Sequence, residues 1–92
     1  MKERKLKRRL KKLRIGDVVR VRWNDAMGVS QPWASRKDLT MKLALITSRG
    51  VVWKKTKYIL AITPHIDRGR DGEGCGAMYI PIRAVRSVKW ID

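Results

Sequence analysis

The chain has no phenylalanine, one cysteine, one histidine and three prolines in 92 residues. Each scarcity removes a class of answer. Cys75 alone cannot close an internal disulfide, so the sequence reads as one for a reducing interior. One Cys and one His cannot complete a zinc site. His65 is the single imidazole open to a Ser-His-Asp or Cys-His pair, and beside Pro64 it reads as a turn or surface residue. Acids are scarce too: eight Asp and Glu stand against 23 Lys and Arg, a formal net charge of +15. No apolar run reaches the ~18 residues of a transmembrane helix. The charged start has no apolar h-region behind it, so no secretory signal is expected and the cytoplasm is the expected location.

What is present is one small domain's worth of chain. Hydrophobic residues make up 43% of it, too many for a disordered tail, while the charge is too basic for an ordinary enzyme. The composition points to a binding protein for an acidic partner.

The charge is unevenly placed. Residues 1–14 hold nine cations (Lys2, Arg4, Lys5, Lys7, Arg8, Arg9, Lys11, Lys12 and Arg14) and one acid, Glu3, for a net of +8. Residues 15–92 hold fourteen cations and seven acids, for a net of +7. Leu6, Leu10 and Leu13 fall at i, i+4 and i+7, so the spacing predicts a basic helix over residues 3–13. Such a helix docks by its leucine stripe or orders fully on a polyanion. It reads as a phosphate-binding arm; the alternatives are a solvated cap on the body and a helix on an anionic membrane, for which three leucines bury too little.

From Asp17 the period changes to two. Val19, Val21 and Trp23 alternate with Val18, Arg20 and Arg22, a half-buried first strand. Gln31–Ser35 reads as loop, and Met41–Thr47 alternates again. Gly50 suggests a bend or bulge before Val51-Val52-Trp53. Lys54–Lys57 reads as a polar turn, Tyr58–Ile62 as the third strand, and Thr63–Gly76, with Pro64 and four glycines, as a long mobile loop. Met78–Ile80 is the fourth strand, Pro81–Val85 a 3-10 turn, and Val85–Ile91 the fifth strand. The expected fold is mainly β: a five-stranded SH3-like (Sm-like) barrel over residues 15–92, preceded by the basic arm of residues 1–14. Trp23, Trp53 and Trp90 at strand ends are expected in its core.

The stretches V-R-V-R-W-N-D-A, T-S-R-G-V-V-W-K-K-T-K-Y-I-L-A and I-P-I-R-A-V, from about Val19 to Val88, resemble a family of small uncharacterised phage-encoded proteins. The resemblance implies an SH3-like barrel and a viral or prophage origin, and it brings no activity or site residues. Residues 1–14 lie outside it, and the family's Gly-Trp pair is spread here over Gly50-Val51-Val52-Trp53.

No active site, metal site or cofactor is expected. Cys75 between two glycines reads as a loop residue, and Asp67, Asp71 and Glu73 lack the Glu that completes a calcium loop. The glycines around Glu73 do not open a helix after a strand, so no phosphate-cradling loop is indicated. For nucleic acid, DNA or RNA, the expected contacts are the arm, Arg20 and Arg22, Arg36 and Lys37, and Lys54, Lys55 and Lys57, with Arg68 and Arg70 as adaptable additions. Trp33, between Pro32 and Ala34, either stacks on a base or forms a lid over the barrel. Mixed Lys and Arg without an Asn or Gln cluster favours backbone over base-edge recognition. The alternative readings are an interaction or virion-assembly module, oligomeric through barrel edges and meeting an acidic protein surface with its arm, and a barrel holding a small anionic ligand.

Overall fold

The computed structural model describes residues 2–25, 36–38, 43–67 and 72–91. Helix α1 spans Lys2–Lys12, with Glu3 in its first turn and Arg9, Lys11 and Lys12 in its last, an order that complements the helix dipole. Leu6 and Leu10 pack on the core and Leu13, just beyond the helix, is buried within it. The leucine stripe therefore docks the arm onto the body without any polyanion. Gly16, at a φ of 100°, then turns the chain into the first strand. Its N–H donates to the Val52 carbonyl (2.8 Å), and the Val52 N–H donates to the Asp17 carbonyl (2.7 Å).

Seven strands follow: β1 (Val18–Asp25), β2 (Ala44–Lys55), β3 (Ile59–Thr63), β4 (His65–Asp67), β5 (Glu73–Cys75), β6 (Met78–Pro81) and β7 (Val85–Trp90). Five form one antiparallel sheet in the order β6-β3-β2-β1-β7, and β4 and β5 form a separate ribbon. Among the described residues no ladder joins β6 to β7; the 3-10 turn Ile82–Ala84 connects them along the chain. The fold is thus mainly β with one N-terminal helix.

Period-two alternation sets the two faces of the sheet. Val19, Val21 and Trp23 of β1 point inward with Val52, Leu60, Ile62, Ile80, Val85 and Val88, and the side chains of α1 close over this core. The opposite face of β1 carries Val18, Arg20, Arg22 and Asn24 outward, each paired directly with a residue of β2.

Four sequence expectations change. The segment expected as one mobile loop, Thr63–Gly76, contains the β4–β5 ribbon, tied down by Thr63. This threonine is fully buried, and its Oγ1 lies 2.9 Å from the carbonyl oxygens of both His65 and Cys75. Gly74 makes the contact feasible, since a Cβ there would sit 3.1 Å from Thr63 Oγ1 and 3.3 Å from the Trp53 ring. Second, Lys54 and Lys55 continue β2, and the reversal lies at Thr56–Tyr58, where Thr56 Oγ1 accepts from the N–H groups of Tyr58 (3.2 Å) and Ile59 (3.0 Å). Third, the break in register falls between Val52 and Lys54, not at Gly50. Gly50 answers a different need: a Cβ there would stand 3.0 Å from the Thr63 carbonyl oxygen, on the neighbouring strand's backbone. Fourth, Trp53 is only half-buried and lies outside the core cluster, and Trp90 is no core residue either. Trp90 is 39% exposed, and its indole N–H donates to Asp17 Oδ2 (2.9 Å).

Candidate nucleic-acid interface

The outward face of β2-β1-β7 is where the sequence's alternating arginines converge. Arg20 pairs with Arg49 on one side and with Lys89 on the other, which makes a row of three cations across three strands. One step along, Arg22 pairs with Thr47 and Ser87. The directly paired positions on this face carry no carboxylate. Like charges set directly opposite are destabilising in a sheet, so the row carries electrostatic strain that an anion would relieve. Arg22, Arg49 and Lys89 are exposed and Arg20 is half-buried. The Nε of Arg20 is buried and has no hydrogen-bond partner among the described residues.

The face continues around the β7 edge onto α1. A cleft lies there between helix and strand, lined by Lys5, Leu6, Arg9, Arg86, Ser87 and Val88, three cations and no acid. Both guanidinium groups are oriented by neutral acceptors. Arg9 Nη1 donates to the Val88 carbonyl (3.2 Å). Arg86 donates through Nε (2.6 Å) and Nη2 (2.9 Å) to the side-chain oxygen of Asn24, with the amide turned to face it. Neutral acceptors fix direction without cancelling charge, and among the described residues no carboxylate lines the cleft, an arrangement suited to phosphate.

The arm's remaining cations face solvent: Arg4, Lys7, Arg8, Lys11, Lys12 and Arg14 are all exposed. Lys2 lies in the first turn of α1. Because Leu6, Leu10 and Leu13 are spent on the core, α1 keeps no apolar stripe for a bilayer. Among the described residues no helix is long and apolar enough to cross a membrane.

The other expected contacts divide. Arg36 and Lys37 are exposed on a 3-10 turn, Arg36–Asp38. Lys54 and Lys57 are exposed at the far end of β2 and in the turn beyond, where Lys57 Nζ sits 5.6 Å from the centre of the Tyr58 ring. Lys55 departs from expectation. Its Nζ donates to the carbonyls of Leu10 (2.7 Å), Leu13 (3.0 Å) and Lys11 (3.4 Å), the groups a helix C-terminus leaves without partners. Its three donors cap α1 and are not offered to a ligand. Trp33, Arg68 and Arg70 lie outside the described residues.

Sequence reading missed Arg49, Arg86 and Lys89. The signal was there in the alternation of β1, but only the register says which side chains of β2 and β7 share its outward face. The ribbon register also sets His65 opposite Cys75, both exposed. Among the described residues no group of three or more His, Cys, Asp or Glu is placed to hold a metal ion.

Asp17 anchors the junction of arm and sheet. Its Oδ2 accepts from the Arg14 N–H (2.9 Å) and from Trp90 Nε1. These two hydrogen bonds, the Arg14 backbone first, hold its carboxyl below the ordinary carboxylate range. Comparison with protein-family models, with curated proteins and with solved structures returns no match.

Proposed function

We propose that the protein is a non-enzymatic nucleic-acid-binding module of the SH3-like (Sm-like) barrel kind, of viral or prophage origin. It grips the phosphate backbone with the outer side of α1 and the outward face of β2-β1-β7, with little base-edge readout. The observation that carries this reading is the acid-free row Arg49-Arg20-Lys89, continued by Arg86 and Arg9 toward the arm. The barrel reading is supported by the strand order β6-β3-β2-β1-β7, with a 3-10 turn linking the two outermost strands.

Edge-to-edge assembly has less support. Strand β6 has four residues and ends in Pro81, while β7 carries Arg86 and Lys89 and gives its Val88 carbonyl to Arg9, all features that blunt a sheet edge.

The test is fluorescence anisotropy of labelled oligonucleotides across a salt series. Deleting residues 1–14 would strip Leu13 from the core, so the clean variant neutralises charge in place: Arg4, Lys7, Arg8 and Lys11, each to Gln. If about eight phosphates are neutralised on duplex, log K falls against log salt with a slope near −7; on a single strand the slope is about −6. The fourfold variant should flatten the slope by about 3.6 on duplex or about 2.8 on a single strand, and weaken all sequences alike. Absent binding at low salt, or an unchanged slope in the variant, rejects the reading.

A further inference from the structure

The outward face of the sheet holds a second feature, which the row of cations does not use. At the far end of β2 a groove of about 470 Å³ is lined by Trp53, Lys54, Thr56, Ile59, Ala61 and Tyr79. Its origin is local. The register break at Trp53 places the indole beside the ribbon, where its N–H donates to the Gly72 carbonyl (2.7 Å) and fixes the ring. Ala61 pairs with Tyr79 on one side and Lys54 on the other, so a small floor residue separates a large aromatic from a cation. Tyr79 is 67% exposed and Ile59 43% exposed, and both line this one groove, where contiguous exposed apolar surface marks an interaction site.

We infer that this groove receives an unpaired base of a single-stranded nucleic acid. The inference rests on the nucleic-acid reading above and deepens it by naming the state of the strand. Three observations bear on the occupant. The lining is mainly aromatic and aliphatic, with a threonine, a lysine and no acid, which suits a flat ring attached to a phosphate. The groove and the cation row lie on the same side of one sheet and share strand β2. Arg49 and Lys54 are five positions apart on that strand, about 17 Å at strand rise. A backbone lying along the cations can therefore deliver a base to the groove within a few nucleotides. A duplex keeps its bases stacked and paired, and so can offer the groove nothing. Stacking also tolerates any base, in keeping with weak sequence preference.

The experiment uses the full chain with three probes: a labelled single strand, the same backbone made of abasic residues, and a duplex of equal length. Tyr79→Ala removes the exposed ring without touching the buried core, and Tyr79→Phe restores it. The base-bearing strand should bind wild type about tenfold tighter than the abasic strand. In Y79A that advantage should vanish, and in Y79F it should persist. Equal affinity of wild type for both strands, or an unchanged preference in Y79A, overturns the inference while leaving the backbone reading in place. Such a result would free the groove for an apolar peptide. Failure of every probe to bind at low salt overturns both.

Discussion

At the scale of single residues, one side-chain type does two opposed jobs. Lys54 and Lys55 are neighbours in β2, yet alternation sends them to opposite faces. Lys54 meets the groove, and Lys55 reaches back to the carbonyls of Leu10, Lys11 and Leu13. A cation at a helix C-terminus is worth up to about 2 kcal/mol when partly buried, and Lys55 is half-buried. Lys55→Met keeps the aliphatic stem and removes the donors. It should cost roughly 1–2 kcal/mol in urea unfolding and reduce the helical circular dichroism signal, while leaving the salt slope of binding within experimental error. A change in slope would instead return Lys55 to the binding face. No reading of the sequence alone separates these two lysines, because the cap joins residues 42 to 45 positions apart.

Among elements, the arm and β7 are held to β1 by one carboxylate. Asp17 accepts from Arg14 at the end of the arm and from Trp90 at the end of β7. Its pKa is depressed in the folded state, so its stabilisation is present above the unfolded value of about 3.9 and is lost as pH falls through the lower folded value. Acidification from about pH 5 should therefore destabilise the wild type progressively. Asp17→Asn should be less stable near neutrality and should show a shallower loss on acidification; parallel curves for the two proteins would show that the carboxylate's charge is not what ties these elements together. The elements themselves were largely legible in the sequence. The leucine spacing of α1, the alternation of β1 and the Ile80-Pro81 turn are local patterns, and they fall where the chain places them. The β4–β5 ribbon was not legible, because its residues have no strand pattern of their own. It exists through Thr63, a buried hydroxyl set between two carbonyls, and through Gly74, which lets the ribbon approach. The groove was hidden for the same reason: Tyr79 and Lys54 meet across Ala61 only once three strands are in register.

For the molecule as a whole, a net charge of +15 on 92 residues sets folding against itself. Self-repulsion opposes compaction, and the juxtaposition of Arg20 with Arg49 and Lys89 concentrates it on one face. Screening relieves that repulsion, so thermal stability of the free protein should rise with sodium chloride from low salt upward. Binding runs the other way, because added salt removes the gain from counterion release. The two trends make a joint prediction. A ligand at a hundred times its Kd stabilises the native state by about 2.7 kcal/mol, and each kcal/mol moves the Tm of a domain this size by roughly 4–8 °C. A saturating oligonucleotide should then raise Tm by roughly 10–20 °C at low salt. That increment should shrink as salt increases, while the Tm of the free protein climbs to meet it. Differential scanning fluorimetry of both samples across one salt series reads the two curves together. Convergence follows if the same cations that strain the fold also hold the ligand. A free protein whose Tm falls with salt would show that the basic face is already compensated from within and has no charge left to offer a polyanion.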